Sequence, residues 1–533
     1  MASATPQLII PALRVVKPGW AHHRLGRRPG SRRYNRSVFS RVLIANRGEI
    51  ACRVIRGCRE MGCETVAVYS DPDAEAMHVR LADMARHIGA AAPAESYLRQ
   101  DKLLAVARET ACEAVHPGYG FLAENAGFAE AVVQAGLAWI GPPAAAIRAM
   151  GLKIEARETA RQAGAPVIPG YEAQDDSDEA FLAAAADMGY PVLVKASAGG
   201  GGKGMRIVEA PEKLPSALAA SRREAGGAFG DAKVYLEKLI DRPRHIEIQV
   251  LLDKHGHAVH LGERECSIQR RHQKVIEETP STVVSAELRA RMGETAVAIA
   301  RRVGYENAGT VEFILAPDGS FYFLEMNTRL QVEHPVTELV YGVDLVHWQL
   351  RIADCERLTL RQEAVIPRGH AIEARICAED PEAGFLPQTG KVLALSVPAG
   401  PGVRLDSMLY PGWEVSADYD PLLGKLVAWG EDRLAAIARM AQALTELRVL
   451  GVTTNLAFLQ NLVTHPAFAE GATDTGFIPR HFPHWATPPA PIPAQLAAVL
   501  ALALARPTRS AAQQDGSVAT PTPWQALGAW SNT

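Results

Sequence analysis

A multidomain chain of mixed α and β structure, opening in a parallel α/β unit, is what the sequence predicts, and three observations lead there. The chain has 533 residues, more than one hydrophobic core usually holds, so about two to four domains are expected. Its 48% hydrophobic and 22% charged content is that of a folded globular protein, which excludes disorder, collagen and a disulfide-stapled miniature. Its first folded segment alternates strand and helix patterns, which forces a parallel sheet.

Residues 1–40 carry Arg14, Lys17, Arg24, Arg27, Arg28, Arg32, Arg33 and Arg36 and no acid, a charge of +8 that leaves −11 for the rest of a chain of net charge −3. This basic, Ser-containing composition reads as a mitochondrial transit peptide, or as a disordered or non-native extension ahead of a start at Val38. Pro6, Pro11, Pro18 and Pro29 oppose one long amphipathic helix. No aromatic platform accompanies the arginines, so no nucleic-acid partner is expected.

Folded sequence starts at Arg41. Val42-Leu43-Ile44-Ala45 reads as a strand, Ile50, Val54, Cys58 and Met61 follow at helical spacing up to Gly62, and Thr65 to Tyr69 is a second strand. The loop Asn46-Arg47-Gly48-Glu49 falls where doubly wound sheets bind ligands, but it lacks G-x-G-x-x-G, so no dinucleotide site is predicted. A strand ending in Ile140-Gly141-Pro142-Pro143 closes this first domain, 41–150.

Two further strands, Val192 to Lys195 and Met205 to Val208, flank Ala198-Gly199-Gly200-Gly201-Gly202-Lys203-Gly204. Four glycines let backbone N–H groups approach an anion, and Lys195 and Lys203 add positive charge, which suits a polyphosphate. The Walker pattern is absent, and the plainer alternative is a mobile hairpin loop. A lysine on the entering strand favours a flap that closes over a nucleotide.

Thr310 to Leu315 and Phe321 to Asn327 are strand-like runs around Ala316-Pro317-Asp318-Gly319-Ser320. With a two-residue turn at Asp318-Gly319, Glu312 faces Glu325 directly, and alternation puts Asn327 on the same face. Opposed carboxylates need a cation between them, and two carboxylates with an amide oxygen suit Mg²⁺ or Mn²⁺. Phe313, Leu315, Phe321 and Phe323 read as core around the acids. Arg329, Gln331, Glu333 and His334 follow at once, and Gln269 to Lys274 lies upstream. Arginine beside a carboxylate is what a small oxyanion needs, the one to hold it and the other to accept its proton.

Beyond about Arg368 comes a third region of alternating segments, and after Phe482 the chain turns rich in Pro, Ala and Gln. Its longest apolar stretch, Leu496 to Ala505, falls short of the roughly 20 residues a spanning helix needs, so a soluble protein with no membrane partner is expected. Seven cysteines without a C-x-x-C pair predict a reducing compartment and no zinc site.

Several long motifs in order resemble the biotin carboxylase family: Leu43 to Ala51, His116 to Asn125, the glycine loop, Glu263-Arg264-Glu265-Cys266-Ser267 with Gln269 to Lys274, and Glu325 to Arg329 with Gln331 to Pro335. The resemblance covers about residues 40–480 and implies an α/β and α+β multidomain fold. Its parts would be a Rossmann-like pre-ATP-grasp domain (41–150), an ATP-grasp domain (151–360) with a glycine-rich lid at about 167–240, and a C-terminal biotin carboxylase domain (370–480). The implied reaction uses ATP and bicarbonate to make carboxyphosphate, then carboxylates N1 of biotin on a carrier.

Carried over residue by residue, the resemblance makes Lys153, Lys195, Gly199, Gly200, Gly201, Gly202, Glu237, His245, Gln269 and His272 ATP contacts, with Glu312 and Glu325. It makes Glu312, Glu325 and Asn327 the ligands of Mg²⁺ or Mn²⁺; Arg329, Gln331 and the Val332 backbone the bicarbonate site; Glu333 the base; Lys274 a positioning cation; and Arg375 the group that stabilises the biotin enolate. Leu152 stands in Met150-Gly151-Leu152-Lys153 where many members have Asp or Ser.

Ala472 to Phe482 is similar to the end of this domain in α subunits of acyl-CoA carboxylases of the methylcrotonyl, propionyl or geranyl type, and Leu496 to Ala505 and Thr522 to Trp530, within residues 483–533, to a linker and the start of their linking domain. With no lysine after Lys425, the expectation is a truncated α subunit whose biotin arrives on a separate carrier. A carboxyltransferase β subunit and a second copy, as a homodimer, are its expected partners. Its compartment would be the cytoplasm in a bacterium and the mitochondrial matrix in a eukaryote. Its rivals are an inactive scaffold subunit and another ATP-grasp ligase, such as half of a carbamoyl-phosphate synthetase.

Overall fold

The apolar run that opens the fold becomes strand β1 (Arg41–Ile44), and helix α1 spans Gly48–Glu60 with Ile50, Val54 and Cys58 on its buried side, as a 3.6-residue period requires. A computed structural model describes residues 38–172, 175–197 and 205–486. The basic segment 1–37, the loop holding Gly199 to Gly202 and Lys203, Leu496 to Ala505 and Thr522 to Trp530 lie outside the described residues.

Strands β2 (Glu64–Ser70), β3 (Met84–Gly89), β4 (Ala114–His116) and β5 (Ala138–Trp139) complete a parallel sheet of order β3-β2-β1-β4-β5. The order reverses between β1 and β4, so the loop after β1 sits at the switch point. Asn46 Nδ2 spans that crevice, donating to Pro117 O and Tyr119 O at 2.7 Å each.

A second, antiparallel sheet of order β6-β9-β7-β8 is built from β6 (Gly170–Glu172), β7 (Val192–Ala196), β8 (Arg206–Val208) and β9 (Val234–Lys238). The two strands that flank the glycine loop pair as Val192 with Val208, the hairpin arms the sequence predicts.

The third sheet carries the site. Its strands are β10 (Arg244–Leu252), β11 (Ala258–Arg270), β12 (Gln273–Thr279), β13 (Asn307–Leu315), β14 (Phe321–Asn327), β15 (His370–Cys377), β16 (Val403–Ser407) and β17 (Leu422–Gly430). All pair antiparallel in the order β14-β13-β10-β11-β12-β15-β17-β16. Helix α2 (Ala286–Arg302) packs Met292, Ala296 and Ile299 onto Ile246, Ile248, Val311 and Phe313. Helix α3 (His334–Tyr341) sets Val336 and Val340 against Ala371 and Val427, and α4 (Arg433–Glu446) covers the opposite face of β15 and β17. Because β12 pairs with β15, one sheet runs across the boundary expected near Arg368.

The β13–β14 hairpin corrects the expected two-residue turn. Ala316, Pro317, Asp318 and Gly319 form a hydrogen-bonded four-residue turn with Gly319 N on Ala316 O at 3.0 Å, and Leu315 pairs with Phe321. Proline suits the second position of such a turn, and the left-handed residue that follows is Gly319 at φ +85°. That offset alone would misalign the acids. A β-bulge at Leu324 shifts the register back by one, and Glu312 faces Glu325 after all.

Candidate active site

Four adjacent strands each place one charged residue in a single cross-strand row: Arg264 on β11, Glu247 on β10, Glu312 on β13 and Glu325 on β14. Residues paired across strands share a face, so three carboxylates line up side by side. Such a row repels itself unless cations are interleaved. Arg264, fully buried, pairs with Glu247 and donates to Gln249 Oε1 at 2.8 Å and Thr310 Oγ1 at 3.0 Å. Lys274 Nζ reaches in from β12, donating to Glu247 Oε2 at 2.6 Å, Glu312 Oε1 at 2.8 Å and Glu333 Oε1 at 2.5 Å. Arg375 of β15 closes the far side, Nε on Glu277 Oε1 at 2.5 Å and Nη2 on Glu333 Oε2 at 2.9 Å.

These contacts set the charge states. Burial pushes Glu333 up, but Lys274, Arg375 and Arg264 outweigh it and hold the carboxyl well below its ordinary range. Burial also pushes Glu312 up, and there Lys274 and His245, whose Nε2 lies 2.9 Å from Glu312 Oε2, win and keep it ionised. Glu325 goes the other way, raised by burial and by Glu312 opposite, with Lys153 opposing.

A divalent ion would find open oxygens on Glu325. Its half-buried carboxylate has no hydrogen bond or ion pair among the described residues, faces ionised Glu312 and opens into the cleft. An oxygen-only pair of this kind fits Mg²⁺ or Mn²⁺. Asn327 shares the face, Nδ2 donating to Glu312 Oε1 at 2.9 Å while Oδ1 accepts from Arg329 Nη2 at 2.8 Å.

Arg329 reaches three side chains, Asn327 and also Gln331 Oε1 at 3.0 Å and, through Nε, Glu124 Oε2 of the first domain at 2.8 Å. Gln331 Nε2 donates to Glu312 Oε1 at 3.1 Å. The carbonyl of Val332 accepts from the buried ammonium of Lys425, which lies 3.3 Å from Glu49 Oε1. Toward the small β6-β9-β7-β8 sheet, Lys195 Nζ donates to Glu237 Oε2 at 2.6 Å, and Arg157 takes the other oxygen at 2.6 Å. Burial pushes the ammonium of Lys153 down, with Glu325 and Glu237 opposing. Gln269 pairs with Lys274 across β11 and β12, and His272 follows Arg271 in their two-residue turn, both at positive φ. A two-residue hairpin demands that geometry and normally recruits glycine or asparagine. His272, His245, Lys274, Glu312, Glu325, Asn327, Arg329, Gln331, Val332 and Arg375 line one cleft of about 470 Å³.

Glu247, Glu124, Glu277 and Lys425 belong to the site without being among the residues the sequence assigns to it. Alternation of Glu247 and Gln249 with Ile246, Ile248 and Val250 was the available signal for the first. Glu124 lies within the His116 to Asn125 motif, but for it, Glu277 and Lys425 the partners are distant in sequence and no local spacing shows which charge each meets.

Paired acids on an antiparallel sheet, beside a separate small sheet with a lysine on the strand that enters a glycine loop, define an ATP-grasp enzyme. Family models agree and go further: Carbamoyl-phosphate synthase L chain, ATP binding domain, matches residues 153–361; Biotin carboxylase, N-terminal domain, matches 38–147; and Biotin carboxylase C-terminal domain matches 373–480. The flanking matches separate this chain from other users of that ATP-binding domain. It is 51% identical over 440 residues to the biotin carboxylase of a Nostoc species, covering 83% of this chain and 98% of that one. It is 49% identical over 491 residues to the mitochondrial methylcrotonoyl-CoA carboxylase subunit alpha of Dictyostelium discoideum, covering 92% of this chain and 70% of that one. The same subunit of the rat is spanned over only 64% of its length. Among solved structures, the biotin carboxylase domain dimer of Hydrogenobacter thermophilus 2-oxoglutarate carboxylase, in complex with MgADP, ADP and bicarbonate, superposes with a TM-score of 0.80 at 45% identity, over 84% of this chain and 98% of that one. The chain belongs to the biotin carboxylase family.

Proposed function

We propose that this cleft joins ATP and bicarbonate into carboxyphosphate and then carboxylates N1 of biotin presented on a carrier. The observation that carries the reading is the clamp on Glu333, whose two oxygens face Lys274 and Arg375 next to the Glu312–Glu325 pair. Lys153, Lys195, the glycines 199–202, Glu237, His245, Gln269 and His272 hold the nucleotide. Glu312, Glu325 and Asn327 would hold the divalent ion, which draws charge from the γ-phosphate when bound. Arg329, Gln331 and the Val332 backbone seat bicarbonate, and Arg375 faces the ureido oxygen of biotin.

Glu333 accepts the bicarbonate proton. Held ionised by Lys274 and Arg375, it is a weak base in the substrate-free protein. Both cations have an alternative partner once anionic substrates arrive, and each contact they give up raises the basicity of Glu333. The base is therefore switched on by the substrates it serves.

In the cell, biotin arrives on a carrier domain or protein, the carboxyl passes to a carboxyltransferase subunit of an acyl-CoA carboxylase, and the chain works as a homodimer. Its place is the cytoplasm of a bacterium or the mitochondrial matrix of a eukaryote. ADP release with Mg²⁺, ATP and bicarbonate, with and without free biotin, tests the chemistry. Stimulation by biotin is the expected result, and none from a folded, ATP-binding chain overturns it in favour of an inactive subunit.

A further inference from the structure

Beside Arg375 lies a pair of carboxyl groups to which the reaction above gives no part. Glu277 of β12 and Glu373 of β15 are direct cross-strand partners, and both are fully buried. Two carboxylates in that register repel, and no water reaches them to spread the charge. Their hydrogen bonding is also incomplete. Glu277 Oε1 takes Arg375 Nε at 2.5 Å, while Glu277 Oε2 and both oxygens of Glu373 have no partner. By contrast, Glu247, Glu312 and Glu333 each receive the Lys274 ammonium.

A single proton resolves the conflict. A neutral Glu373 has an O–H to donate, and the free Oε2 of its cross-strand partner is an acceptor. We propose that Glu277 and Glu373 share one proton, with Glu373 as the neutral acid, and that the one negative charge left on Glu277 anchors the Arg375 guanidinium in line with Glu333. Glu277 is thereby a positioning residue for Arg375. This deepens the reading of Arg375 given above and rests on it.

The groups around Glu373 are Glu277 from β12, Lys425 from β17, Arg375 from its own strand and Glu333 at the entry to α3. His334, which opens α3, is itself buried and kept neutral, chiefly by burial. Burial pushes the Glu373 carboxyl well above its ordinary range, and Lys425 and Arg375 do not offset it. Lys425 is already engaged with Val332 O and Glu49. Burial pushes Glu277 up as well, against the pull of Arg375, whose Nε it accepts. Arg375 therefore hangs from two carboxylates. When Glu333 takes up a proton its hold on Nη2 weakens, and the guanidinium can turn to biotin while Nε stays on Glu277.

Difference infrared spectroscopy of the full chain at neutral pH, wild type against Glu373→Gln, tests the shared proton: a carboxylic-acid carbonyl band should be present in the wild type and lost in the variant. Kinetics test the anchor. Glu277→Gln should raise the KM for free biotin about ten-fold or more with the KM for ATP unmoved, whereas Glu373→Gln, which keeps an N–H for Glu277, should shift it by less than about three-fold. Absence of the band, or equal effects of the two substitutions on biotin, overturns the proposal. Should Glu373→Gln fail to fold, Glu277→Gln must shift the Glu373 acid band by replacing its charged acceptor with a neutral amide, and an unmoved band overturns it. A chain with no biotin-stimulated turnover would sink the reading of the cleft, while the infrared band would still decide the proton.

Discussion

Lys274 meets three carboxylates, Glu247, Glu312 and Glu333, with one ammonium. Removing one partner of a buried ion pair strands the others, at a cost of roughly 3–5 kcal/mol. Lys274→Met should lower the urea-unfolding free energy by about that amount, and a loss below about 1 kcal/mol would mean that water or rearranged cations replace it. Glu333→Gln asks a different question, because glutamine keeps the shape and drops the charge. We expect biotin-stimulated ADP release to fall about 10²–10⁴-fold while calorimetry still detects ATP binding. Loss of ATP binding instead would give Glu333 a structural role.

At the scale of elements, the β13–β14 hairpin sorts its side chains through the bulge at Leu324. Phe321 and Phe323 face the core with Phe313, and Glu325 and Asn327 face the cleft, although strict alternation would put Phe321, Phe323 and Glu325 on one side. Deleting Leu324 makes Glu325 the direct neighbour of Phe323 in an unbulged strand, so Glu325 should stay on the cleft face opposite Glu312 and the Mg²⁺ dependence of ATP binding should persist, read by titration with and without the ion; its loss would mean that the bulge itself shapes the site. Phe313 is fully buried and meets Phe321 and Phe323 edge to face at 5.4 and 6.5 Å. Phe313→Ala should cost about 3–5 kcal/mol by chemical denaturation, and a retained Mg²⁺ dependence would separate the core face from the site face.

For the whole molecule, acid is the expected weakness. His116 accepts from Gly118 N at Nδ1, 3.0 Å, and holds Gln349 Oε1 at Nε2, 3.2 Å, so the ring is neutral and joins β4 to the helix Leu345–Ala353. Burial lowers its pKa to about 4 and does the same for His78. Both groups are basic with a folded pKa below the unfolded value of about 6.5, so between those values the unfolded chain holds a proton that the native one refuses. Stability is full above the upper value and declines as pH falls toward the lower, by about 1.4 kcal/mol per unit for each histidine. Denaturation at several pH values should show that slope, and His116→Asn should flatten it; an unchanged slope assigns the acid sensitivity elsewhere.

What the sequence by itself determined about this protein is what neighbouring residues decide together: the parallel opening unit, the strands flanking the glycine loop, and the pairing of Glu312 with Glu325. The last was reached through a turn that does not exist. Pro317 and Gly319 set one offset and Leu324 cancels it, and a bulge leaves no mark on a hydrophobic pattern read two residues at a time. Only the tertiary structure decided which charges meet. Lys274 and Arg375 on Glu333, Lys425 on Val332, and Glu277 beside Glu373 join residues far apart in the chain. Their identities were legible as charges, but whether a buried charge is free, paired or neutral depends on what the folded sheet brings within hydrogen-bond reach, and no local spacing carries that.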